Sequence, residues 1–165
     1  MIAVLRRTIE LPASDVRAGF DGLLGGLLVA EGPEALRYFE DRGLFAPDAR
    51  AGDARHLLAA LRFAWESLAE SVPRERTAAA TARLLDNPAV AADAAVDLAR
   101  YADWDAVDRV AGLWDRLGKD DPLVRRAVVG YLRACPRPQA RAHLERLRAA
   151  HSQAVAEAET AAGLR

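Results

Sequence analysis

Cysteine, isoleucine and lysine are scarce in this 165-residue chain, and each shortage excludes a class of protein. The single cysteine, Cys135, excludes an internal disulfide framework and a zinc site built from cysteines. Two isoleucines stand against 37 alanines, which favours helices, because alanine has the highest helix propensity and β-branched residues fit strands better. With one lysine, and 23 Lys plus Arg against 24 Asp plus Glu, the net charge is −1. The chain therefore lacks the overall positive field that attracts nucleic acids and membranes.

Long apolar runs are missing as well. The longest apolar stretch, residues 23–30, is much shorter than the roughly 20 residues that a membrane-spanning helix needs. Residues 1–7 place two arginines after a short apolar run, whereas a secretory signal has its positive charges first. For the chain as written we expect a cytoplasmic protein with no membrane partner. If the chain is a fragment, the compartment of the parent protein stays open.

Prolines preceded by a capping side chain mark helix starts along the whole chain. In Asn87-Pro88 and Asp121-Pro122 the side-chain oxygen can accept from a free backbone N–H, and proline suits the first helical position. Pro33, Pro73 and Pro138 resemble the same device with weaker caps. These marks predict eight helices and a helical tail to about residue 162. The predicted ranges are 14–30, 33–42, 53–70, 73–86, 88–102, 104–118, 122–135 and 138–151.

An internal repeat relates the segment that starts at residue 86 to the segment that starts at residue 120, with a constant offset of 34 residues. A fainter copy lies upstream at an offset of 33. Repeats of this length that are built from helix pairs are typical of solenoids, in which each pair buries its apolar face against its neighbours. The matched positions are Pro88 with Pro122, Val90 with Val124, Ala94 with Val128, Leu98 with Leu132, Ala106 with Ala140, Val110 with Leu144, and Leu113 with Leu147.

Residues 120–127, Asp-Asp-Pro-Leu-Val-Arg-Arg-Ala, resemble the opening of a HEAT-type repeat. Residues 86–93 keep the aspartate, proline and valine of that pattern but have Ala91 where the family often has arginine. The resemblance covers residues 86–150, is weaker over 53–85, and does not continue upstream as a repeat. Four further segments are similar to the C-terminal part of longer bacterial HEAT-repeat proteins of unknown function. These segments are 22–26, 61–63, 100–105 and 131–136.

The resemblance implies an all-α, HEAT-like solenoid of helical hairpins with about eight helices. An N-terminal helical cap region is expected at 1–52 and a C-terminal helical tail at 152–165. Between them, residues 53–151 are expected to form HEAT-like repeats, degenerate at 53–86 and clearer at 87–120 and 121–151.

The candidate catalytic and ligand-binding motifs all lack the neighbouring residues that their chemistry needs. Gly19, Gly22, Gly25 and Gly26 are not followed by Lys-Ser or Lys-Thr and are not preceded by a strand, so a phosphate-binding loop is excluded. We expect these glycines to permit close approach of a neighbouring backbone or a helix kink, with ligand binding as the alternative.

The histidines also lack the spacing of a catalytic or metal site. The eight residues between His143 and His151 span about 12 Å of helix, too far for one metal. We expect His143 to be half-buried and hydrogen-bonded, and Cys135 to be a packing residue. No catalytic residue, cofactor or metal is therefore expected.

Opposite charges are segregated between the two clear repeats. Residues 86–121 carry 9 acidic and 4 basic side chains, and residues 122–148 carry 1 acidic and 7 basic ones. Either adjacent repeats attract each other, or the basic last repeat offers a docking face to an anionic partner.

In HEAT-type arrays the second helix of each pair lines the concave side. The resemblance, together with the 3.6-residue period, implies a concave surface in this chain. We expect the chain to be a non-catalytic interaction or scaffold module that binds a protein or peptide there. The expected partner-binding residues are Asp108, Trp114, Asp115, Arg141, Glu145 and Arg148.

Two alternatives remain open. The chain could be a structural segment that caps a longer HEAT solenoid and binds no ligand of its own. It could instead process nucleic acid, since some HEAT-like DNA glycosylases use tryptophans and an aspartate on the concave face, and Trp104, Asp108 and Trp114 fall on one helix. The acidic character of that helix disfavours the second alternative, because cations that contact phosphates dominate DNA affinity.

Overall fold

The computed structural model describes residues 1–11 and 17–163, and in these ranges all regular structure is helical. The predicted all-α class is confirmed. The chain divides into two compact units, residues 1–90 and residues 91–165, each with its own core. None of the helices in the described ranges is both long and apolar enough to cross a membrane.

Five α-helices and one short 3₁₀ turn build the first unit. The start of the predicted helix 14–30 lies outside the described residues. Its described part begins at Phe20, directly after Gly19, whose φ of +76° is a left-handed conformation that favours glycine. The elements are α1 Ile2–Ile9, α2 Phe20–Glu31, α3 Glu34–Asp41, α4 Ala51–Ser67, α5 Arg74–Arg83 and the 3₁₀ turn Leu84–Asp86.

Helix α1 is absent from the sequence prediction, which treats its residues only as a short apolar run before two arginines. Tertiary contacts hold it on α2, because Ile9 is buried and Arg6 donates to both carboxylate oxygens of Glu31, at 2.8 and 2.9 Å. Short helices depend on such packing, since an isolated helix of eight residues is marginal in water.

Helix α2 is the centre of the first unit, with α1, α3 and α4 packed against it. Leu24, Leu27 and Leu28 have no exposed surface. At Gly25 a Cβ atom would lie 3.3 Å from Cδ1 of Phe63 on α4. The close approach expected at the glycines is therefore made by an aromatic side chain at this position and not by a backbone.

The described part of the second unit contains four α-helices in two consecutive pairs, α6 with α7 and α8 with α9, and we call α8 and α9 the second hairpin. Helix α8 contacts α6, α7 and α9, and α7 also contacts α9. The predicted helix 104–118 begins later than expected, at Val107. Its last five residues form a π-helical turn instead of an α-helix. The elements are α6 Ala91–Arg100, α7 Val107–Leu113, the π-turn Trp114–Gly118, α8 Pro122–Ala134 and α9 Pro138–Ala161.

Matched positions of the two repeats lie at matching depths. Leu98 and Leu132 are 0% and 2% exposed, and Leu113 and Leu147 are 0% and 1% exposed. The other four apolar pairs are buried at both members, and the proline pair is exposed at both. The repeat in sequence therefore corresponds to a repeat in burial.

The predicted caps repeat at the same offset. Oδ1 of Asp121 accepts from the backbone N–H of Leu123 at 2.8 Å and caps α8, as predicted. Oδ1 of Asn87 accepts from Ala89 at 3.0 Å, but residues 88–90 form a turn and α6 begins only at Ala91.

Arg125, in the first turn of α8, joins two elements of the second unit. Its Nη1 donates to the carbonyl oxygens of Gly118 and Lys119, at 2.7 and 3.3 Å. These carbonyls lie at the end of the π-turn, where a positive charge is favourable. Ala91, which occupies the matched position of the first copy, has no side chain that could make such a bond.

Candidate functional site

Three pairs of an acidic and a basic residue connect the α7 side of the second unit with α9, and we call them the charge ladder. Nε2 of His143 lies 2.7 Å from Oδ1 of Asp108, and Nη1 of Arg146 lies 3.6 Å from Oδ2 of Asp115. The third pair joins Arg137, just before α9, to Asp105, just before α7. In each pair the acidic residue belongs to the first repeat and the basic residue to the second.

The charge ladder lies at the surface. The side chains of Asp105, Asp108 and Asp115 are 85%, 77% and 60% exposed. Exposed pairs of this kind add little to stability, because water and salt screen them. The hydrogen bond to Asp105 raises the pKa of Arg137 above its ordinary value, so this guanidinium stays charged.

Of the expected partner-binding residues, Asp108 and Asp115 therefore belong to the charge ladder. Arg141, Glu145 and Arg148 lie on α9 and are exposed, as the helical period predicts. Nη2 of Arg148 donates to Glu159 at 2.6 Å. Among the described residues, no ion pair or side-chain hydrogen bond involves Arg141 or Glu145.

Trp114 is 5% exposed, in contrast to the other expected partner-binding residues. Its ring lies against His151, with centroids 5.8 Å apart and planes at 32°. Trp114 is the first residue of the π-turn, and π-turns are often found at functional positions. Here the turn packs the indole into the unit and leaves little of its face for stacking on a base.

Trp104 is also packed, against the edge of Tyr131 at a centroid distance of 5.3 Å. The Tyr131 hydroxyl donates to the carbonyl oxygen of Asp103 at 2.6 Å, and burial raises the pKa of this phenol. Trp104 therefore helps to close the core at the turn before α7.

Helix α9 is bent at His151, whose φ of −142° and ψ of +46° are not helical. Eleven residues separate Arg148 from Glu159, a distance of about 16 Å along a straight helix, yet the two side chains are hydrogen-bonded. The segment after His151 must therefore turn back. We call residues 152–161 the folded-back tail.

The folded-back tail is anchored by both apolar and charged side chains. Val155 is 1% exposed and Ala158 is 5% exposed. Glu159 accepts from Arg148 of α9 and, at 3.1 Å, from Arg133 of α8. The hydrogen bond from Arg148 is the largest effect on the pKa of Glu159 and lowers it. The tail thus lies across the second hairpin.

Sequence reasoning missed the roles of His151, Glu159 and Arg133. The alanine-rich sequence around His151 contains no glycine or proline to signal a bend. Glu159 carries a weak signal, because it is an acidic residue close to the arginine-rich segment 122–148. By contrast, His143 is half-buried and hydrogen-bonded, and Cys135 is buried, as expected.

Metal ligands do not gather in the part of the chain that the structure describes, where no three His, Cys, Asp or Glu side chains form a group able to hold an ion. Comparisons of the chain with models of protein families, with characterised proteins and with solved structures find no match.

Proposed function

We propose that this chain is a non-catalytic, HEAT-like repeat module that binds a protein or peptide through the exposed outer row of α9. We define this row as Arg141 and Glu145, with Arg148 next to them. The proposal keeps the half of the predicted interaction surface that lies on α9 and leaves out Asp108, Trp114 and Asp115.

The stacking of the second unit supports the HEAT-like part of the proposal. First helices of the two hairpins, α6 and α8, pack together, and second helices, α7 and α9, pack together. This order, with matched burial at matched positions, is what a solenoid of repeated hairpins requires.

The observation that carries the binding proposal is the selective use of charge on α9. The charge ladder occupies Arg137, His143 and Arg146, whereas Arg141 and Glu145 have no ion-pair partner among the described residues. Two exposed groups of opposite sign, one turn apart on a rigid helix, can recognise a partner that carries the complementary pair.

Charge reversal tests this proposal. Tagged wild-type protein and its Arg141→Glu variant are cross-linked in cells and the captured proteins are identified. We expect Arg141→Glu to lose the principal partner and to keep its thermal midpoint, because Arg141 is exposed. Arg126→Glu is the matched control, since Arg126 is an exposed arginine on α8. If both variants capture the partner equally, the outer row of α9 is not its binding surface.

A second candidate function is structural, and the folded-back tail supports it. A terminal cap of a repeat array covers the apolar end of the last repeat and presents polar groups to water. The tail buries Val155 and Ala158 and exposes Gln153, Ala156 and Glu157. In this function the second unit would end a stack of helices without a ligand of its own.

Truncation tests the capping function. A chain that ends at His151 should unfold at lower urea concentration and should self-associate, because the surface that the tail covers becomes exposed. The single substitution Gln153→Ser, at an exposed tail position, is the control and should do neither. A truncated chain that stays monomeric and equally stable would show that the tail is not a cap.

A further inference from the structure

A groove of about 390 Å³ lies in the first unit between α2 and α4. Val29 of α2 and Phe63 of α4 line it and are 56% and 40% exposed, so the groove presents two large apolar side chains to solvent. The other lining residues are small, except for one aspartate. They are Asp21, Gly22, Gly25, Gly26, Ala59 and Ala60.

The α2 side of the groove has a depression and a projection. No heavy atom lies within 4 Å of the place where a Cβ of Gly22 would be, so the surface is open there. Val29, two helical turns further on, projects from the same face. Phe63 occupies the space that the absence of a side chain at Gly25 leaves free. No neighbour within the described residues occupies the corresponding space at Gly22. Glycine lowers helix stability, and no contact with the described residues compensates for this at position 22.

We propose that the groove binds α2 of a second copy of this chain in a two-fold symmetric, antiparallel dimer. The point midway between Gly25 and Gly26 is also midway between Gly22 and Val29. A two-fold axis through that point places Val29 of each copy in the depression at Gly22 of the other. A two-fold symmetric interface uses the same patch on both copies, so the patch must carry both the projection and the depression that receives it.

Helix α4 completes the proposed interface. In the antiparallel arrangement, α2 of one copy lies in the groove between α2 and α4 of the other. It then covers Phe63 and Ala59, which the isolated copy leaves open. The small residues on α2 let the two backbones come close, as they do in tightly packed helix pairs.

Each end of α2 presents a charged group that the other copy can reach in this arrangement. Asp21 lies in the first turn of α2, its side chain is 48% exposed, and its Oδ1 lies 3.2 Å from Nδ1 of His56 on α4. Arg6 is bound at the other end through Glu31, and its side chain is 42% exposed. Arg6 uses Nη2 for both oxygens of Glu31, and no acceptor for its Nη1 occurs among the described residues. Antiparallel pairing brings Asp21 of each copy towards the Arg6–Glu31 pair of the other, where Nη1 of Arg6 is the available donor.

Measurement of the molar mass in solution tests the dimer. At high micromolar concentration the wild-type protein should have twice the chain mass of 17.8 kDa. Gly22→Glu fills the depression with a charged side chain, has no clash inside one copy, and should halve the measured mass. Gly130→Glu is the matched control, because Gly130 is a helical glycine of the second unit that also has no heavy atom within 4 Å of a Cβ. It should remain dimeric.

Disulfide cross-linking tests the geometry. Gly22→Cys and Val29→Cys chains, each also carrying Cys135→Ala, are mixed and oxidised. A mixture should form a disulfide-linked dimer, whereas Gly22→Cys alone should not, because the two copies of position 22 lie far apart along antiparallel helices. A monomeric wild-type protein, as expected if a foreign helix fills the groove, would overturn the proposal. A dimeric Gly22→Glu variant, or efficient cross-linking of Gly22→Cys alone, would also overturn it.

Discussion

Side chains of the second unit form two kinds of polar contact, exposed pairs of acidic and basic groups and a buried hydrogen bond. Asp105, Asp108 and Asp115 lie in water, and their pairs with α9 add little to stability. Tyr131 is 1% exposed, and its hydroxyl has one short bond, to the carbonyl oxygen of Asp103. At this scale, stability depends more on the buried hydrogen bond than on the exposed charges.

Removal of the Tyr131 hydroxyl tests whether the buried hydrogen bond contributes more to stability than the exposed charges do. Tyr131→Phe keeps the ring against Trp104 but leaves the Asp103 carbonyl without this donor, so the free energy of unfolding should fall by about 1–2 kcal/mol. Urea denaturation followed by circular dichroism measures it. Asp115→Asn, which removes an exposed charge, is the comparison and should change the value much less. Equal losses in the two variants would contradict this account.

The sequence predicts helix caps next to a proline better than it predicts which charged residues form pairs. The cap at Asp121 is local, since its acceptor and donor lie two residues apart. The charge segregation left open either attraction between the repeats or a docking face, and it could not predict that Asp108 pairs with His143 and Asp115 with Arg146. Those pairs are 35 and 31 residues apart, and their choice depends on how α7 and α9 are rotated against each other.

Helix α9 behaves as two elements joined at His151, with the second fixed by its contacts with the second hairpin. No residue from 138 to 161 interrupts the helical pattern after Pro138, so sequence reasoning predicts a gradual end instead of a bend. Val155 is apolar in the midst of alanine and polar residues, but its position alone does not show which surface it covers. Helix α1 was missed for a related reason, because its stability comes from packing on α2.

The attachment of the folded-back tail should depend on pH through Glu159. Arg148 and Arg133 lower the pKa of this carboxyl in the folded protein below its ordinary value of 4.5. A lowered folded-state pKa stabilises the fold above the unfolded value, and this contribution is lost as the pH falls through the folded value. At pH 7 we expect Glu159→Gln to be less stable than the wild type by about 1 kcal/mol.

Urea titrations of both proteins between pH 7 and pH 3 measure this dependence. The difference between wild type and Glu159→Gln should be constant down to about pH 5 and should shrink below 4.5. Ser152→Ala, at an exposed tail position, should follow the wild type throughout. A difference that grows as the pH falls would contradict the assigned roles of the two arginines.

The whole molecule combines a first unit without a clear sequence repeat and a second unit whose two helix pairs match in sequence and in burial. The two differ in where their apolar surface is exposed. Six of the eight large apolar side chains that are exposed in the described residues belong to the first unit, and only Val96 and Leu123 belong to the second. The proposed self-association and the proposed binding row of α9 therefore use different units.

Separate expression tests whether the second unit is a folding unit. A fragment of residues 86–165 retains the Asn87 cap, α6 to α9 and the folded-back tail, and should be helical with a single cooperative unfolding transition. Circular dichroism during urea denaturation measures both properties. The same fragment should be monomeric, because the groove between α2 and α4 is missing. A broad, non-cooperative transition would show that the division at Val90 does not mark an independent unit.

The charge ladder gives the junction of the two hairpins a direction. Acids on the first repeat meet bases on the second at all three pairs. A duplicate of the first repeat, placed after itself, would set Asp103, Arg109 and Gly112 against these acids, so only one acid would meet a base. A duplicate of the second repeat, placed after itself, would set its three bases against Gln139, Ala142 and Ala149, and none would meet an acid. Only the native succession forms all three pairs, so the order of the two repeats can be read from residues outside the hydrophobic core.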